Sequence, residues 1–400
     1  MTKQVLLAFS GGLDTSFCVV YLKEQGWSVN TATVDTGGFS AEELARIEAA
    51  SAALGAVSHR TVDARNTLFD GFLRYLIYGN VLRGQVYPLS VSAERVCQAQ
   101  AIVAVAKELG LNALDALAHG STGAGNDQVR FDVAFRSLAP ELSILTPIRD
   151  LALSRADEVA FLASKGIEVP AKTALYSINE GMWGTSIGGV ETLDPWSSLP
   201  EDAYPGGTVS TELPPVELKI SFKQGVPVAL NDAAMEPVAL IMALNRLGKA
   251  CGIGRGVHLG DTILGIKGRV GFEAPAAHLL IGAHRELEKL VLSGQQLFWK
   301  ESFGNLYGAL LHEGKFFDPL VRDLEAFLLS SQSKVTGDVR LTLHPRCFSV
   351  DGVRSPYGLM NSKIASYGEA NHLWSGAEAA GFAKLYGIPQ MLALNIGGAS

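Results

Sequence analysis

No stretch of this chain is long and apolar enough to cross a membrane. The apolar run at its start, Val5 to Phe9, breaks at Ser10-Gly11-Gly12. That falls well short of the ~20 residues a bilayer span needs, and short of a signal-peptide core as well. The expectation is a cytoplasmic protein with no membrane partner. Cysteine is sparse: Cys18, Cys97, Cys251 and Cys347 are scattered, with no CxxC pair. This argues against a disulfide framework or a dithiol redox site and predicts reduced, mostly buried thiols. Positive charge is not in excess, the formal net charge being −7. A mildly acidic chain lacks the field that non-specific nucleic-acid binding requires. Short-period repeats and low-complexity linkers are missing too. So is any glycine-rich loop ending in Gly-Lys-Ser/Thr, which excludes a Walker A nucleotide site.

What remains is 400 residues, enough for two domains with full cores, and 43 glycines, which suit tight strand-to-helix turns and ligand loops. The first half alternates strand-like and helix-like segments. Strands are predicted at 4–9, 28–34, 57–62 and 114–119, and helices at 14–25, 41–54 and 93–109, the last stopped by Gly110. Such alternation predicts an α/β fold with an open parallel sheet and helices on both faces. Ligands of these sheets sit at the carboxyl ends of the strands. From Pro170 to about Pro215 the chain reads as loop. Beyond it, strands at 216–222 and 226–230 and helices at 237–251 and 276–293 predict a second, α+β domain. A last helix is expected at 376–386.

Informative motifs fall at three strand ends, after Phe9, after Val34 and after His119. After the first strand comes Ser10-Gly11-Gly12-Leu13-Asp14-Thr15-Ser16. Glycines let the backbone approach phosphate oxygens, and the N–H groups of the helix start face them with the favourable end of the dipole. Ser10, Thr15 and Ser16 add hydroxyls. Asp14 alone would repel phosphate, so Mg²⁺ is the expected bridge. After 114–119 comes His119-Gly120-Ser121-Thr122-Gly123-Ala124-Gly125-Asn126-Asp127-Gln128-Val129-Arg130-Phe131-Asp132. Its glycines permit close approach. Asn126 and Arg130 are four apart, on one face of any helix starting there. An arginine is the natural bidentate partner of a substrate carboxylate.

The heptad SGGLDTS resembles the pyrophosphate loop of ATP pyrophosphatases, which adenylate an oxygen and release pyrophosphate. The stretch 119–132 resembles, almost residue for residue, a motif of the argininosuccinate synthase family. Matching segments run through 87–95, 137–140, 176–183, Asp194-Pro195-Trp196, 252–275 and Arg354-Ser355-Pro356. The resemblance implies a nucleotide-binding domain of HUP-like ATP pyrophosphatase type at 1–168, an α+β synthetase domain at 169–365 and a helical tail at 366–400. It implies ATP-dependent ligation of citrulline and aspartate, in arginine biosynthesis, by a homotetramer. ATP would be held by Ala8, Phe9, Ser10, Gly11, Gly12, Leu13, Asp14, Thr15, Ser16, Val34, His119 and Gly120. Aspartate would be held by Thr122, Asn126 and Asp127, and citrulline by Tyr87, Ser92, Asn126, Arg130, Ser177 and Ser186. Asp14, Asp127 and Arg130 are the candidate catalytic residues, with Asp127 the candidate base for the aspartate amine.

The chain departs from the family pattern at four places. Ala124 replaces a lysine of the glycine-rich loop, and Ser90-Val91 replaces a Gly-Thr pair. Gly260 and Phe272 replace the glutamate and tyrosine that contact the amino end of citrulline. Asp261, one position along, is the candidate substitute carboxylate, with Thr262 beside it. Rival readings stay open at this point. One is another ATP pyrophosphatase. A second is a paralogue that joins aspartate to an N-acylated citrulline or another ureido compound, and a third is a non-enzymatic nucleotide-binding protein.

Overall fold

The computed structural model describes residues 3–168, 176–360 and 373–396. The boundaries expected at 168/169 and 365/366 touch residues outside that set. Five parallel strands form the first sheet: β1 Gln4–Ala8, β2 Ser28–Asp35, β3 Ser58–Asp63, β4 Ala116–His119 and β5 Ser143–Leu145, in the spatial order β3-β2-β1-β4-β5. The pleat explains the continuous apolar run at the start of the chain. Val5 and Leu7 point to one face, among Phe17, Cys18 and Ile47, while Leu6 points to the other, among Leu73, Ala99 and Leu117. A sheet buried on both faces needs apolar residues at every position. The chain leaves β1 toward β2 on one side and is joined by β4 on the other, so a crevice opens at the carboxyl ends of β1 and β4.

Helix Leu13–Glu24 follows β1, helix Ala41–Ala53 follows β2, and the long helix Ser92–Glu108 crosses back before β4. Ser40 and Glu43 close a capping box at the start of Ala41–Ala53. These elements match the sequence reading to within a residue or two at either end.

The segment 176–215 departs from the loop expected there. It holds a hairpin, β6 Ser177–Gly181 and β7 Gly184–Gly188. This pair joins β11 Arg255–Asp261 and β12 Lys267–Glu273 in a four-stranded antiparallel sheet, ordered β11-β12-β7-β6. The turn between β6 and β7 is anchored from outside the hairpin. Met182 N–H donates to Thr36 O at 3.0 Å, and the fully buried Trp183 donates Nε1–H to Pro88 O at 2.8 Å. A further antiparallel sheet is built from β8 Val216–Lys223, β9 Val226–Leu230, β10 Ala233–Ala234, β13 Gly337–His344 and β14 Cys347–Arg354. Helices Pro237–Cys251 and Pro275–Val291 pack on it, and helices Gly294–His312 and Pro319–Ser331, which periodicity did not reveal, complete this part.

Residues from 357 onward form a separate unit. Its helix, Gly376–Asn395, opens with a capping box of Ser375 and Glu378. It runs nine residues past the expected end at Tyr386 and carries Pro389 inside it, although proline ordinarily breaks a helix interior. Among the described residues, no helix is long and apolar enough to cross a membrane.

Candidate active site

A cavity of about 900 Å³ lies over the carboxyl ends of β1, β2 and β4, walled on its far side by β6, β7, β11 and β12. At one end is the turn after β1. Gly11 takes φ +72°, and a Cβ there would stand 2.9 Å from Ile47 Cγ1, so only glycine fits. Gly12 is the N-cap of helix Leu13–Glu24 and offers no side-chain acceptor. The N–H groups of the first turn therefore find no capping side chain, at the positive end of the dipole. The hydroxyls are held in place: Ser10 Oγ and Thr15 Oγ1 are 3.3 Å apart, and Thr15 donates to Gly12 O at 3.2 Å. Ala8, Phe9, Ser10, Gly12, Leu13, Asp14 and Thr15 line the cavity, as do Val34, His119 and Gly120, whereas Gly11 and Ser16 fall outside its lining.

Behind Asp14 stands Glu158, almost fully buried, with Oε2 lacking a hydrogen-bond partner. Burial pushes the Glu158 carboxyl up, and the neighbouring charge and hydrogen bond of Asp14 push it further. Asp14 lines the cavity and could hold a divalent cation that bridges to a phosphate, whereas Glu158 lies behind it, outside the lining. Arg155, on the same helix as Glu158, also lines the cavity and brings a guanidinium to it. Sequence reading missed both residues.

The loop after β4 is held by side chains. Ser121 N–H donates to His119 Nδ1 at 3.2 Å, so Nε2 carries the proton and donates to Asp132 Oδ1 at 2.9 Å. Arg149 Nη1 donates to Asp132 Oδ2 and to Gln128 Oε1, both at 3.1 Å, and the Gln128 amide reaches Gly123 O. Burial would raise the Asp132 carboxyl, but the bond from His119 and the charge of Arg149 hold it below the usual range. Thr122 and Asn126 line the cavity. Asn126 is the N-cap of helix Asp127–Leu138 rather than part of it, and its Oδ1 accepts from Ile263 N–H at 2.9 Å. Its backbone keeps helical dihedrals, Arg130 N–H donates to its O at 3.3 Å, and both residues line the same cavity.

Arg130 is nearly fully buried, and three of the five N–H groups of a guanidinium are engaged. Nε donates to His312 O at 3.0 Å, Nη1 to Asp127 Oδ1 at 2.9 Å and Nη2 to His312 Nδ1 at 3.1 Å. A guanidinium cannot accept, so His312 Nδ1 is the acceptor and its imidazole is neutral. Ser92 Oγ, 3.1 Å away, donates to the same nitrogen; Ser92 is buried there and does not line the cavity. Burial and then the Arg130 charge push His312 down to about 2. Asp127 is gripped from the other side by Arg95, Nε to Oδ2 at 2.8 Å, while Arg95 Nη2 donates to Asn179 Oδ1 at 2.8 Å. Burial opposes the Asp127 charge, but the two guanidiniums prevail and hold its carboxyl low. A carboxylate pinned in this way is a weak proton acceptor, better suited to binding than to general-base work.

Tyr87 lies between two rings, His258 at 5.5 Å and Phe272 at 5.4 Å between centroids, and its hydroxyl accepts from Ser90 Oγ at 3.3 Å. Ser177 and Ser186 come from β6 and β7 and line the same wall. Asp261 lines it too, but its carboxylate is paired with Lys267 at 2.6 Å on the exposed hairpin. Thr262 spends its hydroxyl on Ile266 O at 2.9 Å. Arg95, His258 and His312 were absent from the residues expected. Arg95 and His258 sat within matching segments, while His312 carries no local signal.

Two family models cover nearly the whole chain: the arginosuccinate synthase N-terminal HUP domain over residues 4–168, and the arginosuccinate synthase C-terminal domain over 176–393. The chain is 44% identical to an argininosuccinate synthase of Xanthomonas campestris, across 98% of both chains. It is 40% identical to one of Methanocaldococcus jannaschii over the same shares, and 37% identical to one of Dictyoglomus turgidum over 98% of this chain and 97% of that one.

Proposed function

The chain belongs to the argininosuccinate synthase family, and on that premise we propose that it joins aspartate to the ureido carbon of citrulline or a close citrulline derivative, with ATP converted to AMP and pyrophosphate. The observation that carries this reading is the convergence, on one cavity, of a phosphate-binding helix start, a glycine-rich polar loop and the β6–β7 hairpin.

The ureido oxygen attacks the α-phosphorus, forming an O–P bond as the bond to pyrophosphate breaks. The amine of aspartate then attacks the activated ureido carbon, and AMP leaves with the former ureido oxygen. No covalent enzyme intermediate is required, so the chain acts by positioning and charge stabilisation. Residues 9–15 hold the phosphates through backbone N–H groups, and Arg155, which lines the same cavity, adds a cation. Asp14 would hold Mg²⁺, which when bound would offset the negative charge of the phosphates. Thr122, Asn126 and Asp127 hold aspartate. Tyr87, Ser177, Ser186 and Arg130 hold the ureido acid, and Ser92 acts one step removed, by fixing His312. The ATP-binding part is 1–168, the synthetase part 169–365 and the tail 366–400. We extend the proposal to a cytoplasmic homotetramer, to be checked by light scattering against the chain mass of 42.4 kDa.

The direct test is product analysis with ATP, Mg²⁺, aspartate and a ureido acid. AMP and pyrophosphate should appear only when both amino-acid substrates are present. ADP and inorganic phosphate as primary products would overturn the assignment.

A further inference from the structure

The wall of the cavity formed by β7, β11 and β12 lacks what a free ammonium group needs. Burying an ammonium is costly unless a carboxylate or several acceptors receive it. Two carboxylates stand near this end, and neither is free. Asp127 is shared between Arg95 and Arg130. Asp261 is paired with Lys267, and Arg83 donates to its backbone oxygen at 3.2 Å. Two arginines against the single Asp127 leave this end with an excess of positive charge, to which Arg83 adds.

The position that faces this end from β11 has no side chain. A Cβ on Gly260 would lie 2.6 Å from His258 Nε2, so the imidazole already fills the space where any side chain at 260 would begin. The ring is stacked on Tyr87 at 5.5 Å with a 17° tilt. Its Nε2 is buried and has no hydrogen-bond partner. Burial, followed by the charge of Arg83, keeps this imidazole below its ordinary range, in the neutral form. Phe272, on the neighbouring strand, packs behind Tyr87 outside the cavity lining and offers no acceptor.

We infer that this end of the site selects a ureido acid whose α-nitrogen is uncharged because it is acylated, with His258 as the specificity-determining residue. This deepens the ligase reading above and rests on it. A neutral imidazole nitrogen makes one hydrogen bond with an amide group without needing a counter-charge. The Tyr87 ring, which lines the cavity, receives the acyl carbon atoms, and the surplus positive charge suits the substrate carboxylate.

The experiment measures pyrophosphate release with ATP and aspartate, comparing citrulline with N-acetylcitrulline as the ureido substrate. The wild-type ratio of kcat/KM, acetylated over free, should exceed about ten. His258→Leu should lower kcat/KM for N-acetylcitrulline about tenfold while the KM values for ATP and aspartate hold, which shows that the variant is folded. The double substitution His258→Leu, Gly260→Glu clears the imidazole and supplies a carboxylate, and should turn the ratio in favour of citrulline. A wild-type ratio at or below one, or an equal loss for both ureido substrates in His258→Leu, overturns the inference and leaves the ligase reading standing. Absence of pyrophosphate with either compound removes the ligase reading itself, and this inference with it.

Discussion

Replacing Arg130 with lysine tests how the centre of the site is held. The guanidinium makes three bonds in three directions: to His312 O, to His312 Nδ1 and to Asp127 Oδ1, at 2.9–3.1 Å. Lysine keeps the charge but concentrates its donors at one point. An ammonium can stay with Asp127, which also retains Arg95. His312 Nδ1 keeps the hydroxyl of Ser92. The backbone oxygen of His312 is then the group left without a donor, in a buried setting. An orphaned buried acceptor costs ~1–3 kcal/mol, and loss of one arm of a charge-assisted fork falls in the same range. Arg130→Lys should therefore lose about 2–3 kcal/mol in urea unfolding with an unchanged m-value. Because Arg130 also lines the cavity, the KM for the ureido substrate should rise about tenfold while that for ATP stays within a factor of about two. Stability within ~0.5 kcal/mol of wild type, together with an unaltered ureido KM, would refute this account of the arginine. An equal rise in both KM values would assign it to the phosphates instead.

Asp14→Asn keeps the volume of the side chain and removes its charge beside Glu158. Turnover should fall at least about a hundredfold at saturating Mg²⁺ with the far-ultraviolet spectrum intact; an unchanged rate would make Asp14 structural. The second concerns pH. His312 sits at about 2 in the folded chain and near 6.5 when unfolded. Below pH 6.5 the unfolded state therefore takes up a proton that the folded state refuses, and stability falls by about 1.4 kcal/mol per pH unit as the solution is acidified. The buried acids Glu94 and Glu325, raised to about 8 and about 7, act in the opposite direction over the same range. The difference between wild type and His312→Asn isolates the histidine. The variant should lose about 2 kcal/mol less between pH 6.5 and 5, and identical slopes in the two proteins would dismiss the neutral imidazole.

Some of this was settled by the sequence alone, for a local reason. The phosphate loop needs a strand, a turn in which only glycine can take a positive φ, and a helix start, all within 13 residues from Gln4 to Ser16. Each part is specified by neighbours in the chain. The alternation of strands and helices up to His119 is likewise a matter of local periodicity, and its strand ends bring the two polar loops to one crevice. Tertiary structure decided the rest, because the interactions concerned join residues far apart in the chain. The polar, glycine-rich stretch 177–188 has little strand character of its own. It becomes a hairpin because β12 pairs with β7, and because Thr36 O and Pro88 O receive the backbone of Met182 and the indole of Trp183. No local pattern singles out His312, which comes 182 residues after Arg130 to accept two of its bonds. His258 lies in a segment that resembles the family, but only the fold shows its imidazole taking the room beside Gly260. The sequence marked the loops proposed to hold phosphate and amino-acid groups; folding fixed which charges near them are already paired, and that pairing carries the proposal for the second substrate.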